Sequence, residues 1–137
     1  MGLILDTSVV IAGERRGHSV RQILEQLKTD FGEMEISLSV VSIVELTHGV
    51  QRAENEPRRQ RRQAFVDELI RDLPVHPVTV QTARLAGRIE GDQAAQGVTI
   101  AFEDLLIAAT ALQLGFGVVT SNARHFEQVP GLKVVKR

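Results

Sequence analysis

Three acidic residues stand far apart in the chain, each at a position where a carboxylate can take part in chemistry. Asp6 follows the apolar run at residues 3–5, Glu45 interrupts an apolar stretch, and Asp104 precedes a long apolar segment. Carboxylate oxygens are the ligands that Mg²⁺ prefers, and a bound metal ion polarises phosphoryl groups and activates water. If the fold joins these side chains, we expect a metal site that cleaves phosphodiesters.

Each acid also has a purely structural explanation. Asp6 can cap the helix that follows it, and Asp104 can complement a helix dipole. Glu45 can lie on a solvated helix face with Gly49 and Arg52. The opposite face is expected to carry Ile43, Val44, Thr47 and Val50. Two features favour chemistry: Asp104 opens a helix that is apolar on nearly every side, and Gly49 leaves room for a partner at a cost of roughly 1 kcal/mol.

The apolar pattern predicts strands that alternate with helices. The predicted strands are residues 3–5, 34–38, 74–78, 118–120 and 132–135, and the predicted helices lie between them, with the most apolar at 102–114. Ser39 or Ser42 is expected to cap the helix after the second strand, and Thr79 to begin the helix after the third. This alternation indicates an α/β fold with a central, mostly parallel sheet flanked by helices. Ligands bind such sheets at the carboxyl ends of the strands, where Asp6 and residues 120–122 should meet. No repeat or linker is evident, so we expect residues 1–137 to form a single domain.

The composition excludes several kinds of site. The chain has no cysteine, which rules out disulfides, zinc–thiolate centres and thiol nucleophiles. The net charge is −1, so any nucleic-acid partner must be bound by a local basic patch or through a metal. No apolar run approaches the roughly 18 residues of a membrane span, and no signal peptide is evident. We therefore expect a cytoplasmic protein with no membrane partner.

Four motifs, in order along the chain, carry a resemblance to a known family. They are Leu5-Asp6-Thr7-Ser8, then Ser42-Ile43-Val44-Glu45-Leu46 with Gly49, then the segment from Asp104 to Ala111, and finally Thr120-Ser121-Asn122-Ala123-Arg124-His125-Phe126 with Pro130-Gly131-Leu132. Together they resemble the PIN-domain ribonucleases, most closely the VapC toxins of type II toxin–antitoxin pairs, over nearly the whole chain.

The resemblance implies a Mg²⁺-dependent endoribonuclease in which Mn²⁺ can substitute. Asp6, Glu45 and Asp104 match the family's catalytic, metal-binding acids. The supporting residues would be Thr7, Ser8, Glu103, Thr120 and Asn122. The expected partners are an RNA substrate, a VapB-like antitoxin and a second copy of the chain in a homodimer. Candidate RNA-binding residues are Arg15, Arg16, Arg52 and Arg124. A local basic cluster of Arg52, Arg58, Arg59, Arg61 and Arg62 either binds RNA phosphates or is a solvated helix face.

The chain departs from the family pattern after the fourth strand. Many members carry a fourth acid there, where this chain has Asn122, and others carry one where His125 stands. This difference leaves open whether two metal ions bind, and it leaves an alternative: a catalytically weak module that binds RNA or antitoxin. A phosphatase of the haloacid dehalogenase type is a further alternative, but Ser8 stands where its second aspartate is needed.

Overall fold

The computed structural model describes residues 1–137, and its centre is one five-stranded parallel sheet. The strands are β1 (Gly2–Leu5), β2 (Glu35–Ser39), β3 (Val75–His76), β4 (Gly117–Thr120) and β5 (Val134–Lys136). Their order across the sheet is β3-β2-β1-β4-β5, and every neighbouring pair is parallel. The central strand is therefore β1, and its carboxyl end lies between the ends of β2 and β4.

Seven helices connect and cover the strands. They are α1 (Thr7–Arg15), α2 (Val20–Phe31), α3 (Val40–Gln51), α4 (Glu56–Asp72), α5 (Val80–Ala95), α6 (Phe102–Leu114) and α7 (Ala123–Glu127). Local sequence fixes most of their starts, because Ser19, Ser39, Asn55 and Thr79 each accept a hydrogen bond from a backbone N–H in the first turn. None of these helices is long and apolar enough to cross a membrane.

Two apolar cores lie on opposite faces of the sheet. Alternate residues of β1 point to opposite sides, so Leu3 and Leu5 pack with α1, α2, α3 and α4, whereas Ile4 packs with α5, α6 and α7. The two cores contain 16 and 13 buried residues, which means that the strands are covered on both sides. The polar residues that follow the strands gather at one edge of the sheet, which is formed by the carboxyl ends of the strands.

The structure confirms the predicted α/β fold with a parallel sheet and corrects three details. The face predicted for α3 is wrong, because Val44 is 71% exposed and the buried residues are Val41, Ser42, Leu46 and Val50. The predicted cap of this helix was Ser39 or Ser42, and Ser39 fills that role. The five-residue helix α7 was not predicted, and the last strand begins at Val134 rather than at residue 132.

Candidate active site

The three acids lie at the carboxyl edge of the sheet, each brought there by a different element. Asp6 directly follows β1, Glu45 lies in the second turn of α3, and Asp104 lies in the first turn of α6. Their charges act on one another, because Asp6 raises the pKa of both Glu45 and Asp104, and Asp104 also raises that of Glu45. The fold therefore joins residues separated by almost a hundred positions in one acidic cluster.

Asp6 is the buried member of the cluster, with 5% of its surface exposed. Its Oδ2 accepts hydrogen bonds from Ser8 Oγ at 2.7 Å and from Thr120 Oγ1 at 2.8 Å. Although Asp6 stands at the N-cap position of α1, its side chain makes no capping hydrogen bond. Hydroxyl groups of α1 and β4 therefore hold the Asp6 carboxylate at the carboxyl ends of the strands, and Asp6 does not act as a side-chain cap of α1.

Glu45 is held from α1. Thr7 Oγ1 lies 2.9 Å from Glu45 Oε1 and 3.0 Å from Ser42 Oγ, within hydrogen-bond distance of both. Burial raises the pKa of Glu45 above its ordinary value, the hydrogen bond from Thr7 partly opposes this, and repulsion by Asp6 and Asp104 adds to it. Glu45 consequently does not lie on a freely solvated face of the helix.

Asp104 contacts the segment after β4. Its Oδ2 lies 3.1 Å from Nδ1 of His125, whose side chain is largely exposed. Burial is the largest cause of the raised pKa of Asp104, followed by repulsion from Asp6, while His125 lowers it. Glu103 beside it is exposed and contributes a smaller repulsion. His125 therefore places an imidazole nitrogen, and not another carboxylate, beside Asp104.

Each acid keeps one carboxylate oxygen without a hydrogen bond to the protein. These oxygens are Asp6 Oδ1, Glu45 Oε2 and Asp104 Oδ1, and none is a buried polar atom lacking a partner, so solvent reaches the oxygen of buried Asp6. The donor set is all oxygen and strongly anionic, which suits a hard divalent cation. As the side chains stand, however, no group of three or more converges closely enough to hold one ion.

Asn122 does not replace the missing acid by contact. Its backbone N–H donates to Thr120 Oγ1 at 2.9 Å, but its exposed side chain makes no hydrogen bond. It lines an open cavity of about 420 Å³ together with Arg124, His125 and Lys136. The charged residues of this lining are Arg124, Lys136 and Glu127, so the surface beyond β4 carries both signs of charge.

The predicted RNA-binding arginines do not form one group. Arg15 lines a small cavity of about 130 Å³ that also includes Glu45 and Gly49, whereas Arg16 lines a different one. Arg52 is exposed at the end of α3 and has no side-chain partner. Arg124 lies on the other side of the acids, at the start of α7.

Two contacts at the site were not predicted from the sequence. Ser42 lies beside Thr7 and so supports Glu45, yet its sequence position marked it only as a possible helix cap. Arg62 Nη1 donates to the backbone oxygen of Gly49 at 2.8 Å, which joins α4 to α3 next to Glu45. Gly49 does not signal the second contact, because no atom lies within 4 Å of the place where its Cβ would stand, so a side chain there would not block Arg62.

Fold and site together define an α/β protein with an acidic site at the carboxyl edge of a parallel sheet, the usual ligand edge of such sheets. The chain belongs to the PIN-domain family, whose model matches residues 3–132.

Its relatives place it among the VapC members of that family. It is 36% identical to ribonuclease VapC1 of Rickettsia felis, covering 98% of this chain and 96% of the relative. It is 33% identical to the tRNA(fMet)-specific endonuclease VapC of Salmonella typhimurium over 71% of each chain. The fold matches the DNA-bound VapBC structure from Salmonella typhimurium with a TM-score of 0.82 and 27% identity, covering 98% of this chain and 96% of that one.

Proposed function

We propose that this protein is a metal-dependent endoribonuclease, the toxin of a VapBC-type pair, and that Asp6, Glu45 and Asp104 form its catalytic site. The observation that carries the proposal is the acidic cluster itself: three acids from three parts of the chain, each with one carboxylate oxygen that makes no hydrogen bond to the protein. The VapC relatives that bear ribonuclease names support the reaction class.

The chain's own residues prepare the site for a cation. Ser8 and Thr120 fix Asp6 through one oxygen, so the other keeps its direction, while Thr7 positions Glu45. Burial raises the pKa values of Glu45 and Asp104, and repulsion between the acids adds to the rise; a bound cation would relieve that repulsion. A bound divalent ion, Mg²⁺ or Mn²⁺, supplies Lewis-acid activation of the phosphodiester and of water.

The neighbourhood of Asp104 favours one strongly held ion. Asn122 brings no negative charge, and His125 competes for Asp104 as a positive partner when protonated. A second ion at the β4 side would therefore meet fewer anionic ligands than in a four-acid site. We propose that a second ion, where it binds, does so weakly or together with the phosphate of the substrate.

The partners follow from the relatives. Relatives are named for ribonuclease activity and, in two cases, for tRNA(fMet), and similar solved structures are VapBC complexes. We therefore propose RNA as the substrate and a VapB-like antitoxin as the regulator. A homodimer and a cytoplasmic location complete the proposal.

The test is cleavage of structured RNA by the purified protein, with Mg²⁺, with Mn²⁺ and with chelator. We expect cleavage only with metal, and its loss in Asp6→Ala and Asp104→Ala. Cleavage that survives chelator, or that persists in both variants, would contradict the proposal. Tight binding of RNA without cleavage under any condition would favour a binding module, the alternative that Asn122 and the incomplete convergence of the acids suggest.

A further inference from the structure

A basic groove lies between the end of α1, the start of α2 and one side of α4. It has a volume of about 620 Å³, and its charged lining consists of Glu14, Arg15, Arg58, Arg61 and Arg62. In the sequence these arginines belong to two separate clusters, at residues 15–16 and 52–62. The fold joins part of each in one surface and leaves Arg16, Arg52 and Arg59 outside it.

The groove adjoins a smaller cavity that Glu45 lines. Glu14, Arg15 and Arg62 also line the smaller cavity of about 130 Å³, whose wall includes Glu45 and Gly49. The hydrogen bond from Arg62 to the backbone of Gly49 holds one guanidinium at the junction of the two cavities. A chain bound in the groove therefore lies next to the cavity that Glu45 lines.

The charges in the groove are available to an anionic ligand. Arg15 and Arg61 are exposed and make no ion pair or side-chain hydrogen bond, and the one acid of the lining is Glu14. Arg58 pairs only with Glu54, an exposed i, i+4 partner that contributes little. The lining contains a single apolar residue, Phe65, so it offers little surface to the apolar face of a peptide helix.

We propose that this groove binds the sugar-phosphate backbone of the RNA strand next to the bond that is cut, with Arg15 and Arg61 as its principal phosphate contacts. The proposal rests on the proposed ribonuclease function and adds to it the path of the substrate. Guanidinium groups suit phosphates because they present several N–H donors in a fixed plane. Contacts of this kind position the strand without reading its sequence.

The experiment measures binding of a fluorescein-labelled, mixed-sequence, single-stranded 20-mer RNA in chelator, across a series of NaCl concentrations. The variants are Arg15→Gln, Arg61→Gln and their combination, and the matched control is Arg88→Gln. Arg88 is an exposed arginine without a partner on α5, whose apolar residues pack on the other face of the sheet.

Each groove variant should weaken binding and reduce the slope of log K against log salt by about 0.7, because one phosphate contact to a single strand is lost. Arg88→Gln should match the unmodified protein, and all variants should keep its melting temperature. Groove variants that bind the RNA as tightly as Arg88→Gln, with an unchanged slope, would overturn the proposal. So would tighter binding of a labelled poly-glutamate peptide through the same arginines, which would make the groove a site for acidic peptide.

Because this binding is measured without metal, its result is separable from that of the cleavage test. If the protein cleaves RNA only with metal and the Arg15 and Arg61 variants bind RNA normally, the groove proposal is wrong and the nuclease proposal stands. If the groove variants lose RNA binding but the protein does not cleave RNA, the groove proposal stands and the nuclease proposal is wrong.

Discussion

The hydroxyl of Thr120 should stabilise the protein more than an ordinary buried hydroxyl does. Thr120 is fully buried, and its Oγ1 donates to the carboxylate of Asp6 at 2.8 Å. A hydrogen bond to a charged group contributes about 1.5–3 kcal/mol to stability. Thr120→Val keeps the shape of the side chain and removes this donor, while Ser8 still donates to the same oxygen of Asp6. We therefore expect a loss of roughly 2 kcal/mol in the free energy of unfolding.

Thr110→Val provides the matched control. Thr110 is 2% exposed, and its Oγ1 donates to the backbone oxygen of Leu106 at 2.8 Å, a neutral acceptor. Loss of such a bond costs about 0.5–1.5 kcal/mol. Both variants lose one buried hydroxyl donor, but Thr120→Val also removes the acceptor of the Asn122 backbone N–H. The interaction with Asp6 is therefore isolated by how far the difference between the two variants changes in an Asp6→Asn background.

The assay is thermal and urea unfolding of both variants at pH 7. For a domain of this size, 1 kcal/mol lowers Tm by about 4 °C, so Thr120→Val should melt about 8 °C below the unmodified protein and Thr110→Val about 4 °C below it. In an Asp6→Asn background the difference between the two should shrink, because the acceptor is then neutral. Equal losses in the unmodified background would refute the claim that Thr120 holds a charged Asp6.

Two further predictions concern stability. Burial raises the pKa of Glu45 above 4.5, so its ionisation costs folding free energy as the pH rises past that value. Glu45→Gln should therefore raise Tm at pH 7 and leave it nearly unchanged at pH 4. It should also reduce the rise in Tm that Mg²⁺ produces. Equal Mg²⁺ effects on the Tm of both proteins would count against Glu45 as a ligand. Gly49→Ala should stabilise α3 by up to about 1 kcal/mol, because its Cβ meets open space. Gly2→Ala should instead destabilise the protein by about 1–3 kcal/mol, because its Cβ would stand 2.8 Å from the backbone oxygen of Glu35. Denaturant unfolding of the two variants measures whether each change raises or lowers the free energy of unfolding.

The sequence predicts those parts of the fold that depend on neighbouring residues. The apolar segment at 102–114 coincides with α6, and the caps at Ser39 and Thr79 start α3 and α5 as expected. The order of the strands was not predicted, because pairing β1 between β2 and β4 depends on contacts between residues far apart in the chain. The helix α7 was missed because five residues are too few to show a helical period.

The site was predictable in its residue types but not in its contacts. Asp6, Glu45 and Asp104 were identified as candidates because they are acids next to or within apolar segments, and the fold brings them into one cluster. Which hydroxyl holds which acid depends on packing: Thr7 reaches Glu45 only because α1 and α3 lie side by side on the sheet. The error in α3 has the same origin, since apolar Val44 is exposed while Ser42 is buried beside Thr7.

The most direct test of the central claim is a titration with Mn²⁺, in which free Mn²⁺ is followed by electron paramagnetic resonance. It needs no knowledge of the RNA target. We expect saturable binding at one strong site in the unmodified protein and in Asp92→Asn, an exposed acid on α5. Binding should be lost or greatly weakened in Asp6→Asn and in Asp104→Asn. Equal Mn²⁺ affinity in all four proteins would contradict the claim that these acids form a metal site.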